Sequence, residues 1–141
     1  MAAATGREEA AMHALVIDDS RATRAMLRRI LQQLRFDVSE AADGREGVAA
    51  LDQAREQGGI DLALVDWNMP VMDGLEFVKA VRARPEYDHV VLMMVTTEGG
   101  AEELMQALEA GANEYAMKPF TAAVIREKLE LLGLTGGDVD A

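Results

Sequence analysis

Four points along this 141-residue chain carry side chains able to do chemistry together: Asp18-Asp19, Asp66, Thr96-Thr97, and Lys118 followed by Pro119. Each closes a short apolar run, namely 13–17, 60–65, 90–95 and the weaker 114–117. Carboxylates brought together repel one another unless a cation is shared among them. The chain has no cysteine, and neither His13 nor His89 falls in this pattern, so the donors on offer are oxygens. A hard divalent ion suits such donors. Mg2+ fits best, since it keeps some of its water and takes one or two carboxylates plus a phosphate oxygen at about 2.0–2.1 Å. With a hydroxyl and an ammonium group beside the ion, the set is suited to phosphoryl transfer.

These groups meet only if the apolar runs are neighbouring strands whose carboxyl ends lie together, where open α/β sheets collect functional groups. The intervening segments read as helices. Ala22, Met26, Ile30 and Leu34 recur every four residues with Leu27 and Leu31 beside them, and Arg21, Arg24, Arg28 and Arg35 take the other face. A short strand over 37–40 precedes a helix over 44–56, and Gly58-Gly59 breaks the chain before the third strand. A helix over 75–83 stops before Pro85, because a residue preceding proline avoids helical angles. Val90 to Val95 is almost continuously apolar, as in a strand covered on both faces. Helices over 101–110, closed by Gly111, and 121–132 complete the count. Five strands alternating with five helices imply an α/β fold, with parallel strands, right-handed crossovers and helices on both faces. Met26, Met93, Met94, Met105 and Met117 are expected to fill the core, Trp67 to lie half exposed beside the site, and both histidines to be structural.

Composition narrows the function. Fourteen basic against 25 acidic residues give a net charge of −11 and a pI near 4.5, which disfavours a nucleic-acid surface. No apolar run approaches the roughly 18 residues of a membrane span. Residues 1–12 lack the basic start and apolar stretch of a secretory signal, so a cytoplasmic location is expected. The expected organisation is a flexible extension over 1–12, one domain over 13–132 and a short acidic tail over 133–141. The nine residues after Leu132 are too few for an output module. No glycine-rich phosphate loop follows the first strand, which disfavours a nucleotide-binding fold.

In their order along the chain, Asp18-Asp19, Asp66-Trp-Asn-Met-Pro-Val-Met-Asp-Gly74, Thr96, Tyr115 and Lys118-Pro119-Phe120 resemble the receiver domains of two-component response regulators, most closely those of chemotaxis. The resemblance covers about residues 13–132 and implies a flavodoxin-like (βα)5 fold with strand order 2-1-3-4-5. It implies that Asp66 is the phosphoacceptor, taking a phosphoryl group from a histidine kinase. Asp19, Asp66 and the backbone carbonyl of Asn68 would hold Mg2+, with Asp18 orienting it directly or through water. Lys118, aimed by a cis bond to Pro119, and Thr96 would contact phosphoryl oxygens. Thr96 and Tyr115 would form the switch that alters the surface of the fourth helix, fifth strand and fifth helix. Asn68 and Glu98 would tune self-dephosphorylation toward the fast end of the family, while the bulk of Thr97 would restrict access. The implied partners are the kinase, a downstream target (the flagellar motor switch in chemotaxis) and a phosphatase, with the chain a monomer that is not an enzyme in its own right.

Other readings stand beside these. Asp18 and Asp19 can cap a helix, Asp73-Gly74 can be turn chemistry, Tyr115 can be packing and Lys118 a solvated lysine. Functional alternatives are a receiver in a phosphorelay or in a cell-cycle or stress pathway, and a receiver cut from a longer regulator. A Mg2+-dependent phosphohydrolase is also open, although no Asp stands two residues past Asp66 to act as general acid and no cap domain is present.

Overall fold

Strand β1 (His13–Ile17) lies mid-sheet, and Ala14 to Ile17 have no solvent exposure. The computed structural model describes residues 11–134. After β1 come α1 (Arg21–Gln33), β2 (Asp37–Ala41), α2 (Gly44–Ala54), β3 (Leu62–Val65), α3 (Gly74–Arg82), β4 (Val91–Thr96), α4 (Ala101–Ala110), β5 (Glu114–Met117) and α5 (Ala122–Leu131). Short 3-10 turns follow α2 (Arg55–Gln57) and α3 (Pro85–Tyr87). The five strands are all parallel in the order β2-β1-β3-β4-β5, the flavodoxin-like arrangement expected.

Side chains alternate across a strand, so each central strand feeds two cores. Leu15, Ile17, Ala63, Val65, Leu92 and Met94 face one layer, where Leu51 of α2, Phe77, Val78 and Val81 of α3, and Ala107 of α4 cover them. Ala14, Val16, Leu62, Leu64, Met93 and Val95 face the other, covered by Leu27 and Leu31 of α1 and Ile125 and Leu129 of α5. Double coverage explains why these strands read as apolar runs. Of the expected core methionines only Met93 and Met94 are buried; Met26 is 53% exposed, Met105 55% and Met117 43%. A step of four residues advances a helix by about 40° beyond a full turn. The line from Ala22 through Met26 to Leu34 therefore runs obliquely onto the buried face, whose centre is Leu27 and Leu31, and leaves Ala22 and Met26 outside it.

Side-chain caps set where four of the five helices start, Gly100 before α4 offering none. Ser20 is the N-cap of α1, its Oγ accepting from the Thr23 N–H at 3.2 Å, so Asp18 and Asp19 are not spent on that role. Asp43 and Thr121 cap α2 and α5, and Asp73 forms a capping box with Glu76 at α3. Helix α5 ends in a Schellman motif: Gly133 is left-handed, its N–H donates to Glu130 O at 3.0 Å, and the Leu134 N–H donates to Leu129 O at 2.8 Å. Leu134 is buried and Met12 partly so, and packing thus reaches both. Residues 1–10 and 135–141 of the expected extension and tail lie outside the described residues.

The same motif ends α1, but with Arg35 at the left-handed position, φ 73°, and buried Phe36 donating to Leu31 O at 3.0 Å. A side chain in that conformation costs about 1–2 kcal/mol, more than glycine's extra entropy. Arg35→Gly is therefore expected to raise stability by about 0.5–1 kcal/mol in a urea melt with an unchanged slope.

Gly74, the first residue of α3, meets a different constraint. A Cβ there would lie 2.2 Å from the main-chain oxygen of Asp66, so its place in the sequence reflects close backbone approach rather than turn geometry. Gly74→Ala must displace the backbone after β3. We expect it to destabilise the fold by about 1–3 kcal/mol and to lower Trp67 burial, read by fluorescence quenching.

Candidate functional site

Register places the chemistry. Ile17 pairs with Val65, so Asp18 and Asp66, each one residue further on, leave the sheet side by side. The Asp66 N–H still donates to Ile17 O at 2.9 Å, and the Asp18 N–H to Ala41 O at 3.1 Å. This is the point where strand order reverses, between β1 and β3, and the crevice there is the expected ligand position in such sheets. On the far side Thr96 pairs with Met117, and the Lys118 N–H donates to Thr96 O at 2.9 Å, bringing the lysine in from β5. The Lys118-Pro119 bond is cis.

One carboxylate oxygen each from Asp18, Asp19 and Asp66 lie within 4.8 Å of one another. Asp18 and Thr96 are buried, Asp66 is 8% exposed, and Asp19 opens to solvent. Lys118 Nζ donates to Asp18 Oδ2 at 2.8 Å and lies 3.5 Å from Asp66 Oδ2. The second oxygen of Asp18 accepts from the Ser20 N–H, and Oδ1 of Asp66 from the Trp67 N–H, both at 2.8 Å.

Burial pushes the Asp66 carboxyl up from the usual aspartate range and the charge on Asp18 pushes further, while Lys118, the Trp67 N–H and the Thr96 hydroxyl pull back. For Lys118, burial acts to lower the pKa, but Asp18 and Asp66 outweigh it and hold the ammonium above the ordinary lysine value. Three carboxylates against one ammonium leave an uncompensated negative charge among oxygen-only donors. That donor set fits a hard divalent cation.

The loop after β3 frames the open side. It folds back so that the Gly74 N–H donates to Trp67 O at 2.8 Å, and a tight turn closes from the Met72 N–H to Pro70 O at 2.7 Å. Val71 sits at the centre of that turn with φ 71° and is 71% exposed, an uncommon conformation for a β-branched residue. Trp67 is half-buried against the core, as expected.

Asn68 is exposed and its Nδ2 donates to Glu98 Oε2 at 2.7 Å, so the two expected tuning residues bridge the loops after β3 and β4. Thr97 faces solvent. Tyr115 is buried, and its hydroxyl donates to the main-chain oxygen of Glu98. Its pKa is raised by burial and then by Glu103 and Glu98. The Thr96 hydroxyl accepts from the Glu98 N–H at 3.2 Å, so both expected switch residues grip the same residue.

Asp18, Asp19, Asp66, Thr96 and Lys118 thus come together at the strand ends, Asn68, Glu98 and Tyr115 join the loops around them, and Thr97 stands exposed between Thr96 and Glu98. Sequence reading missed Arg24, which was placed on the solvated face of α1. It is half-buried, with Nη1 donating to Asp18 O at 2.6 Å and Nε to Glu40 Oε1 at 2.9 Å. The only signal for it was an Arg five residues past Asp19 and a Glu near the end of an edge strand, neither meaningful before the elements are docked.

Residues 14–130 match the response regulator receiver domain. The chain is 43% identical over 128 residues to a chemotaxis protein CheY homolog of Campylobacter jejuni, covering 90% of this chain and 97% of that protein. It is 43% identical over 122 residues to chemotaxis protein CheY1 of Helicobacter pylori, covering 86% and 96%. Among solved structures, chemotaxis response regulator CheY4 of Vibrio cholerae superposes with a TM-score of 0.79 at 37% identity, over 86% of this chain and 98% of that one. Register, acidic cluster, lysine and likeness agree: the chain belongs to the response regulator receiver domain family, with a CheY-like receiver fold consistent with chemotaxis.

Proposed function

We propose that this receiver is a phosphorylation-controlled binding module in chemotaxis, with Asp66 as its phosphoacceptor. The observation that carries the reading is the Lys118 ammonium between Asp18 and Asp66 at the mouth of a three-carboxylate cluster. An Asp66 oxygen forms the new O–P bond as the P–N bond to a kinase phosphohistidine breaks, and the bonding pair returns to the imidazole nitrogen. Asp19, Asp66 and the main-chain carbonyl of Asn68 would hold Mg2+, with Asp18 orienting it. When bound, the ion supplies positive charge against the transferring oxygens. Lys118 meets a phosphoryl oxygen, and Asp18 keeps its side chain extended toward that position. The activity is confined to self-phosphorylation and self-dephosphorylation, so the chain is not an enzyme acting on separate substrates.

The output follows from Glu98. Thr96 and Tyr115 hold its N–H and carbonyl respectively, so a Thr96 hydroxyl drawn to a phosphoryl oxygen releases one of two grips on the loop before α4. The phosphoryl group then favours the loop arrangement in which Thr96 and Lys118 both reach it, a shift between existing states. Met105, Leu108, Met117 and Val124 give the neighbouring α4, β5 and α5 an exposed apolar surface, which suits a protein target such as the flagellar motor switch.

The test uses Trp67, next to the phosphoacceptor. Its emission is expected to respond saturably to Mg2+ and to change again on adding acetyl phosphate. The second change should vanish in Asp66→Ala and fall at least about tenfold in rate in Lys118→Ala. A folded wild-type protein that ignores both additions defeats the reading.

The raised pKa of Asp66 also has a consequence for stability. A carboxylate whose pKa is higher folded than unfolded weakens the fold, fully so above the folded value; the penalty shrinks as pH falls below that value and is gone below the unfolded one. Asp66→Asn is expected to raise the melting temperature by about 2–5 °C at neutral pH without Mg2+. The gain should shrink as pH falls into the carboxylate range, followed by circular dichroism melts.

A further inference from the structure

Arg24 enters the site from below, through the main chain rather than the pocket. Its Nη1 donates to Asp18 O at 2.6 Å and its Nε to Glu40 Oε1 at 2.9 Å, with the side chain only 15% exposed. Glu40 stands on edge strand β2 and is held from its other oxygen by Arg28 Nε at 2.5 Å. The Asp18 N–H is meanwhile fixed to Ala41 O at 3.1 Å. Residue 18 is therefore clamped at both backbone ends: by the end of β2 on its N–H and by Arg24 on its carbonyl. That carbonyl belongs to the peptide leading into Asp19. Asp19 is the exposed carboxylate of the cluster, and its side chain has no hydrogen bond among the described residues.

We propose that Arg24 is a positioning residue for the cation site: it fixes the peptide between Asp18 and Asp19 and so aims the otherwise unheld Asp19 carboxylate at Asp66. The inference rests on the Mg2+ reading above. Two effects of Arg24 oppose each other. Its charge repels a cation, and its hydrogen bond organises the donors. Glu40, which Arg28 shares, offsets part of that charge at hydrogen-bond distance, and salt weakens what reaches the solvent-open side of the site. Organisation, which salt does not screen, is left as the larger effect. Residues that orient metal ligands without touching the metal typically change affinity by about 10–100-fold when removed.

The sign of the change separates the two effects. Mg2+ would be titrated into the full chain at about 0.05 and 0.5 M NaCl, following Trp67 emission, for the wild type, Arg24→Ala, Arg24→Lys and Arg28→Ala. Thermal melts without Mg2+ would run alongside. Arg24→Ala is expected to raise the Mg2+ Kd about tenfold at both salt concentrations. Arg24→Lys, which keeps the charge but loses the two-armed grip, should fall between it and the wild type. Arg28→Ala removes the other support of Glu40 without touching Asp18 and should stay within about twofold of the wild type. An Arg24→Ala Kd that is unchanged or lower overturns the proposal, a lower one meaning that Arg24 acts only as charge. An equal rise in Arg28→Ala also overturns it, as general loosening between α1 and β2. If Arg24→Ala does not fold, Arg24→Lys against Arg28→Ala decides, and equal values sink the idea. A wild type with no saturable response defeats the Mg2+ reading itself, a result distinct from an indifferent variant.

Discussion

The repulsion among Asp18, Asp19 and Asp66 is the constraint around which this receiver is organised. Three carboxylate oxygens within 4.8 Å of one another, two of them on buried residues, are unfavourable in an interior of low dielectric. One lysine compensates part of that charge, and the Asp66 carboxyl is still held above the usual aspartate range, by burial first and by the Asp18 charge second. A group strained in this way is ready to accept positive charge or to be consumed in a bond. That readiness is the property the proposed phosphoacceptor role requires.

Such a site survives only on a rigid base. The two apolar layers supply one, because β1, β3 and β4 each bury side chains on both faces and cannot slip without moving every residue to the wrong layer. Register then carries precision to the strand ends. Asp18 and Asp66 are adjacent because Ile17 and Val65 are paired, and Lys118 arrives because Met117 is paired with Thr96. Helix starts are assigned to other residues, Ser20 and Asp73 above all, so the site's aspartates remain available. Around the rim, the bond between Asn68 and Glu98 and the grip of Thr96 and Tyr115 on Glu98 join the loop after β3 to the loop after β4. A change at Asp66 therefore has a short physical route to the α4–β5–α5 surface.

Most of the fold was legible because apolar runs and glycine or proline breaks are local signals. The runs ending at Ile17, Val65 and Val95 identified buried parallel strands, and Gly111 marked the end of α4. Legibility failed where position around a helix decided the outcome. Met26 and Met105 have the chemistry of core residues but lie off the buried line, and Arg24 has the chemistry of a surface residue but folds inward. Gly74 had a turn-like neighbourhood, yet what demands glycine is a main-chain oxygen eight positions earlier in the chain.

By itself, the sequence determined the element order, the parallel sheet and the set of residues at the strand ends. Hydrophobic periodicity and residue chemistry depend only on near neighbours along the chain. Tertiary structure alone decided which of those residues touch: the Lys118 ammonium on Asp18 rather than equally on both aspartates, Tyr115 turned onto Glu98, and Arg24 clamped to the Asp18 carbonyl. Those pairings link residues up to 100 positions apart. They are set by strand register and by the rotation of each helix on the sheet, quantities that exist only once the layers have packed.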